Sequence, residues 1–117
     1  MLEALISLDL DPGLRNAMSA LRYCVDAENG HHVDNPSPQE LVELIGGLNR
    51  TDNTFVTVLP DEDDPWWYAS VSRLDEGTYE VEYRDLGCEE HRRSTLTDRE
   101  EIVRDLTVWL AARGDRS

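Results

Sequence analysis

The side chains best suited to catalysis are few in this sequence, which holds three histidines and two cysteines. They are His31, His32, His91, Cys24 and Cys88. Nucleophilic catalysis needs a serine or cysteine beside a histidine base, and thiol zinc sites need partners at motif spacing. Cys88 precedes His91 by three residues, which is not the spacing of a catalytic or metal motif, and no Gly-x-Ser-x-Gly elbow occurs. The sequence therefore predicts a protein that is not an enzyme, with no catalytic residue, no metal site and no cofactor.

A different chemistry is concentrated in one segment, where four consecutive acids run into three aromatic residues. In order, the segment reads Asp61, Glu62, Asp63, Asp64, Pro65, Trp66, Trp67 and Tyr68. Carboxylates bind hard cations, but the glycine and the ligand spacing of an EF-hand loop are missing. Aromatic anchors beside a charged rim are typical of protein-binding sites. The other interpretation, a solvated acidic loop followed by core tryptophans, stays open at this point.

The charge balance restricts the partners that the chain can bind. It carries 25 acids against 11 bases, for a formal net charge of −14 at pH 7. Such a field repels nucleic acid and anionic membranes and attracts basic partners. All 11 bases are arginines, so neither a P-loop nor a lysine Schiff base can form. We therefore expect a basic protein partner, no nucleic acid and no membrane.

The expected compartment follows from signals that the sequence lacks. It opens with no secretory signal pattern and contains no apolar run of membrane-spanning length. Its two cysteines lie far apart in the chain. A cytoplasmic protein with both thiols free is the expectation.

Hydrophobic periodicity predicts two amphipathic helices. The first begins after Ser37, with Glu40 completing a capping box. The second begins after Thr97, which forms a capping box with Glu100, and it stops at Gly114. Each helix presents one apolar face that needs a partner layer.

Alternating apolar and polar residues predict an antiparallel β-meander of about four to six strands. The candidate strands cover residues 21–26, 31–33, 54–59, 66–74, 78–85 and 91–96. Asn29 and Gly30 supply the two positive-φ positions of a hairpin turn. The fold class is therefore α+β, with both helices packed on one face and the other face exposed. Trp67 is expected in the core, with Trp66 and Tyr68 on the other face.

The length fits one domain. We expect a single α+β domain over residues 20–113, an N-terminal extension of uncertain order at 1–19, and a frayed tail at 114–117. Two interpretations of the extension stay open. Its apolar residues form one helical stripe, or the true translation start is Met18 and residues 1–17 do not belong to the native chain.

The central strands carry a resemblance to a known family. The strand Thr78–Asp85, a glycine loop and His91 follow a helix that begins with the step Ser37-Pro38. This order of elements resembles bacterial immunity proteins of polymorphic toxin systems, in the first-described immunity family that is common in actinomycetes. The resemblance covers roughly residues 20–113. The acidic loop at 61–64 departs from the family pattern, and the N-terminal extension has no counterpart in it.

The resemblance implies a non-enzymatic inhibitor that binds and neutralises a cognate toxin in the cytoplasm, with no cofactor. An acidic inhibitor can occupy the basic surface of a toxin that holds phosphate, and electrostatic steering speeds their encounter. We assign the partner contacts to Asp61, Glu62, Asp63, Asp64, Trp66, Tyr68, Glu80, Glu82 and Arg84. Arg84 has an alternative internal role, in which it neutralises Glu80 or Glu82. The alternative function is a small structural or regulatory docking subunit that forms a homodimer through exposed aromatics.

Overall fold

The computed structural model describes residues 22–115, which form one six-stranded antiparallel sheet and two α-helices. The strands are β1 Tyr23–Ala27, β2 His32–Asp34, β3 Phe55–Pro60, β4 Trp67–Arg73, β5 Tyr79–Asp85 and β6 Glu90–Leu96. The helices are α1 Pro38–Gly46 and α2 Arg99–Asp115. The strand order across the sheet is β2-β1-β3-β4-β5-β6. The predicted α+β class is confirmed, whereas the questions about residues 1–19 and the start at Met18 lie outside the described residues.

The core lies between one face of the sheet and the two helices. On β4 and β5 the register places Ala69 opposite Tyr83 and Val71 opposite Val81, and all four side chains are buried. Trp67 is also buried, as its alternation predicts. Each large apolar side chain removed from water contributes roughly 1.5–3 kcal/mol. The period-two pattern therefore decides which face of the sheet meets the helices.

Helix α1 is fixed at its start by the predicted capping box. The Glu40 amide donates to Ser37 Oγ at 3.1 Å, and the Ser37 amide donates to Glu40 Oε1 at 2.8 Å. These two bonds satisfy amides that a helix start leaves without a partner. Leu41 and Ile45 then point into the core one turn apart.

Helix α2 begins one residue later than the predicted capping box places it. The Ile102 amide donates to the Asp98 carbonyl at 3.0 Å, and the Glu100 amide donates to Asp98 Oδ1 at 3.0 Å. Asp98 is therefore the N-cap, and the prediction for Thr97 was wrong. Aspartate and threonine both cap well, so neighbouring candidates leave the register of a helix start ambiguous.

The same helix passes through Gly114 and ends at Asp115. Arg113 holds its last turn, because Arg113 Nη1 donates to the Trp109 carbonyl at 2.7 Å. The predicted stop at Gly114 was therefore wrong by one residue. A glycine weakens a helix without ending it when tertiary contacts hold the turn.

The β1–β2 hairpin uses a different turn from the predicted one. Gly30 has a φ of +94°, but Asn29 is not in the positive-φ region. The Gly30 amide donates to the Ala27 carbonyl at 3.0 Å, and the Ala27 amide donates to the His31 carbonyl at 2.9 Å. This is a three-residue loop with a glycine bulge, so only one residue needs the left-handed conformation.

Candidate functional site

The sheet face opposite the helices carries every strand residue that the sequence assigns to partner contact. Tyr68 pairs with Arg84, Ser70 with Glu82, and Ser72 with Glu80 across β4 and β5. Residues opposite each other in an antiparallel pair project to the same side. These side chains are half-buried, whereas their neighbours along each strand are buried in the core. We call this side the open face.

A concavity of about 570 Å³ lies at the end of the open face where β3 ends and β4 begins. It is lined by Thr57, Leu59, Pro65, Trp66, Trp67, Tyr68, Arg84 and Leu86. Leu86 is 59% exposed, which is unusual for a leucine beside other apolar side chains. The concavity is therefore an apolar surface that faces solvent in the isolated chain.

The aromatic side chains of the concavity pack against an aromatic side chain of the core. Trp66 meets Trp67 edge to face, with ring centroids 6.4 Å apart, and Trp67 meets Trp109 of α2 in the same way at 5.5 Å. Edge-to-face aromatic pairs add roughly 0.5–1.5 kcal/mol beyond burial. Trp66 is consequently a rigid side chain that loses little conformational entropy when a partner contacts it.

The four acids precede Pro65, which lines the concavity, in the chain. Asp61 to Asp64 are fully in the loop between β3 and β4, and all four are exposed. The Asp61 amide donates to the Arg22 carbonyl at 3.0 Å, and Pro65 at the other end lines the concavity. The loop therefore leads from exposed negative charge into the residues of an apolar surface.

Two of the remaining predicted contact residues, Arg84 and Glu82, are already connected to each other through His91. Arg84 can only donate, so its Nη1 donates to His91 Nδ1 at 3.3 Å, and His91 Nε2 then donates to Glu82 Oε2 at 2.7 Å. Arg93 also lies 3.8 Å from Glu82. Arg84 thus reaches Glu82 through His91 rather than directly. Glu80 lies four residues from Arg84, roughly 13 Å along the strand, so it is not part of the concavity.

The catalytic candidates of the sequence engage different carboxylates on opposite sides of the sheet. His91 contacts Glu82 on the open face. The Cys88 thiol lies within 4.8 Å of carboxylate oxygens of Asp85 and Glu90, which belong to the helix side. A nucleophile and its base must lie within hydrogen-bonding distance, but Cys88 and His91 contact different carboxylates.

A buried ionic cluster under α2 was not predicted from the sequence. Asp85 is 0% exposed and accepts from Arg113 Nη2 at 2.6 Å, and the same nitrogen lies 3.2 Å from Glu90. Asp85 Oδ1 also accepts from the Gly87 amide at 2.8 Å, and the Leu86 amide donates to the Trp66 carbonyl at 2.8 Å. The cluster therefore fixes the β5–β6 loop that places Leu86 in the concavity.

Burial changes the acidity of groups in this region. Burial, with a smaller contribution from Asp105, raises the pKa of Tyr83 to about 12. Partial burial alone would raise the pKa of Glu90, but hydrogen bonds from Trp109 and Arg92 and the charge of Arg113 lower it below its usual range. At neutral pH, Tyr83 is therefore uncharged and Glu90 is ionised in the folded chain.

A second cluster that the sequence analysis missed lies beside the concavity on the open face, on β1 and β2, where Cys24 pairs with Leu59 and Asp26 with Thr57. Asp26 pairs with His32 and Cys24 pairs with Asp34 across the two strands. His32 Nδ1 lies 2.5 Å from Asp26 Oδ1, and His32 Nε2 lies 2.9 Å from Asp34 Oδ1. These hydrogen bonds raise the pKa of His32. The signal in the sequence is Cys-x-Asp followed by His-x-Asp, which becomes visible only with the hairpin register.

A scan against protein-family models, a search of curated proteins and a search of solved structures each find no match to this chain. The resemblance to toxin-immunity proteins therefore stays a prediction. Within residues 22–115, neither helix is long and apolar enough to cross a membrane.

Proposed function

We propose that this chain is a non-enzymatic immunity protein that binds and neutralises a basic toxin domain through the concavity and the acidic loop. The observation that most supports the proposal is the position of the concavity. Its aromatic residues follow an exposed loop of four acids in the chain, and it lies on the face that the two helices leave uncovered.

The apolar part of the surface provides the anchor. Trp66, Tyr68 and Leu86 surround a concavity large enough for one or two side chains of a partner loop. Binding hot spots are enriched in tryptophan and tyrosine and are ringed by residues that exclude water. A partner that fills the concavity removes Leu86 from water, and this burial favours the complex.

The charged part of the surface selects a basic partner. An arginine at the edge of the concavity can stack on the Trp66 ring while its guanidinium reaches the carboxylates of Glu62 or Asp63. The net charge of −14 adds a long-range attraction that raises the association rate with a basic domain. Neither feature alone gives specificity, but together they define the chemistry of the partner.

The predicted contact residues do not contribute equally in this proposal. Glu82 accepts a hydrogen bond from His91 and lies 3.8 Å from Arg93, so its carboxylate already has partners within the chain. Arg84 lines the concavity, and its side chain is oriented by a hydrogen bond to His91. We therefore place the binding energy on Trp66 and the loop acids, ahead of Glu80 and Glu82.

Co-expression with the product of the gene immediately upstream tests the proposal. The wild-type chain is expected to co-purify with that protein in a one-to-one complex. Leu86→Ala is expected to weaken the complex without unfolding the chain, because Leu86 is 59% exposed. Trp66→Ala is expected to weaken it more, and a thermal melt of each variant shows whether the fold is retained.

A pair of charge variants separates the acidic loop from net charge. The first neutralises Glu62, Asp63 and Asp64, and the second neutralises Glu43, Glu101 and Asp105, which are exposed on the helices. Removing three acids changes the net charge from −14 to −11 in both. The loop variant is expected to lose affinity and the helix variant to retain it. Equal losses would mean that only overall charge matters.

The docking-subunit alternative predicts a different result in the same co-expression experiment. If no partner co-purifies and the isolated chain sediments as a dimer that Trp66→Ala dissociates, the aromatics join two copies of this chain. That result would replace the immunity proposal.

A further inference from the structure

The β1–β2 hairpin brings four chemically reactive side chains together on the open face. Cys24 and Asp26 are two residues apart on β1, and His32 and Asp34 are two residues apart on β2, so each pair projects to one side of the sheet. The register sets Cys24 opposite Asp34 and Asp26 opposite His32, so the four positions form a rectangle on one side of the sheet. Opposite residues have Cβ atoms roughly 4.5–5.5 Å apart. Ligand atoms of Cys24, Asp26 and His32 all lie within 4.8 Å of one another.

The thiol of this group is buried and makes no hydrogen bond to any residue that the structure describes. Cys24 is only 6% exposed, although it projects to the open face beside Asp26 and His32. A buried free cysteine commonly packs as a small apolar residue, but this thiol lies on a polar face within 4.8 Å of a carboxylate and an imidazole, which are metal-ligand types. It is the observation, independent of the acids, that points to a ligand.

We propose that Cys24, Asp26 and His32 bind one zinc-class divalent cation, with Asp34 as the hydrogen-bond partner that orients the His32 ring. Thiolate, imidazole and carboxylate are the three ligand types of protein zinc sites. A histidine that binds a metal usually donates its other ring N–H to a carboxylate, and the two aspartates beside His32 already occupy both ring nitrogens. A solvent molecule would complete the fourth position.

Only a small adjustment is needed to form the site. Ligand atoms around tetrahedral zinc lie roughly 3.3–3.8 Å apart, given bond lengths of about 2.0–2.3 Å. The ligand atoms lie within 4.8 Å of one another, so the farthest pair must approach by up to about 1 Å, and the 2.5 Å contact of His32 Nδ1 with Asp26 must widen by a similar amount. Asp26 and His32 are half-exposed and can rotate, while the sheet holds the backbone. On binding, the cation replaces two protons, that of the Cys24 thiol and the one between His32 Nδ1 and Asp26, and both pass to solvent, while His32 Nε2–H keeps its hydrogen bond to Asp34.

The identity of the ligands favours zinc over calcium or magnesium. Hard cations prefer six to eight oxygen ligands or an octahedral shell, and a thiolate is a poor ligand for them. Three carboxylates, from Asp26, Asp34 and Asp61, act on Cys24, and a dication compensates their charge. The fit is therefore to a borderline or soft divalent ion.

A second cysteine-containing group in the same chain serves as an internal control. Asp85, Cys88 and Glu90 also have ligand atoms within 4.8 Å of one another. In that group Arg113 contacts both carboxylates, so a cation is already present and a metal ion would be repelled. The proposal assigns metal binding to the Cys24 group alone.

The test is a cobalt titration of metal-free, reduced full-length chain, followed by displacement with zinc. We expect one equivalent of Co²⁺ to produce a thiolate-to-cobalt charge-transfer band, which Zn²⁺ abolishes and excess Mg²⁺ leaves unchanged. Cys88→Ser is expected to behave as wild type. Asp34→Asn is expected to weaken zinc binding roughly 10–100-fold, and His32→Gln by more than that. His32 and Asp34 are 49% and 73% exposed, so these substitutions are expected to leave the fold intact, which a thermal melt of each variant checks.

Three results would overturn the proposal. The first is the absence of a thiolate band at one equivalent of cobalt. The second is a band that is lost in Cys88→Ser but retained in His32→Gln. The third is displacement of the metal by magnesium, which would mean that the ion is held only by the acidic surface.

Discussion

At the scale of single residues, the pair Asp85 and Arg113 shows how a buried charge supports the candidate site. Their side chains are 0% and 5% exposed, and their 2.6 Å contact lies beneath α2. The Arg113 guanidinium also lies 3.6 Å from the Trp109 ring centroid. A buried carboxylate requires a nearby cation because desolvation penalises its charge. The same carboxylate accepts from the Gly87 amide, so it connects the core to the rim of the concavity.

The first prediction concerns this pair. Arg113→Ala is expected to lower the free energy of unfolding by about 3–5 kcal/mol, because it removes the guanidinium from a fully buried carboxylate. Urea denaturation measures the change. Arg93→Ala is the matched control, since its 3.8 Å contact with Glu82 is on the surface and is worth less than about 1 kcal/mol. Equal losses in the two variants would show that the buried pair has no special role.

The second prediction concerns the pH dependence of stability. The pKa of Glu90 is lower in the folded chain than in the unfolded chain, so its carboxylate stabilises the fold at pH values above its unfolded pKa. This contribution is expected to disappear as the pH falls below about 4.5 through the folded pKa. Glu90→Gln is therefore expected to show a shallower loss of stability in this acid range. A profile parallel to that of wild type would assign acid sensitivity to other carboxylates.

Residue identity alone predicted part of the site. Tyr68 was expected on the face opposite Trp67, and alternation along β4 places it there, while Trp66 precedes the strand and lines the concavity. Leu86 was not expected to contribute, because its position depends on a loop that Asp85 holds from within the core. Contacts between residues far apart in the sequence leave no local pattern.

At the scale of elements, the helices and strands follow from periodicity, whereas their ends do not. Both apolar helix faces and the alternation on β5 match the sequence pattern. The start of α2 and the β1–β2 turn differ from prediction, because Thr97 and Asp98 are both good caps and Asn-Gly also fits a bulged loop. The Cys24 group was missed for the same reason, since its recognition needs the register of that hairpin.

The third prediction tests the position of the α2 cap. Asp98→Ala is expected to cost about 1 kcal/mol, because Asp98 Oδ1 accepts from the Glu100 amide. Thr97→Ala is expected to change the free energy of unfolding by less than about 0.5 kcal/mol, as for other exposed positions. Chemical denaturation of both variants measures the difference. A larger loss of stability in Thr97→Ala than in Asp98→Ala would support the capping box of Thr97 with Glu100.

At the scale of the whole molecule, the helices cover one face of the sheet, and no helix or strand within residues 22–115 covers the other. The helices bury the apolar side of the sheet. The open face carries the concavity on β3 to β5, the Cys24 group beside it on β1 and β2, and the Arg84–His91–Glu82 network on β5 and β6. Burial of one sheet face by two helices therefore leaves a broad surface on which a partner can bind.

The fourth prediction concerns the salt dependence of association. If the net charge of −14 steers a basic partner, the association rate is expected to fall as ionic strength rises. The dissociation rate is expected to change less, because contacts inside the concavity are apolar. Stopped-flow or surface-based kinetics at two salt concentrations measure both rates. An association rate that does not change with salt would contradict electrostatic steering of the partner.

The most direct test of the central claim is protection of growth. Cells that express the upstream gene product are compared in the presence of the wild-type chain, Leu86→Ala, Trp66→Ala and the Glu43, Glu101 and Asp105 control variant. The proposed function predicts that the wild type and the control restore growth, that Leu86→Ala restores it partly, and that Trp66→Ala, still folded, does not. Protection by every folded variant would contradict binding at the concavity. Failure of the wild type to protect cells from a toxic product would contradict the immunity function itself.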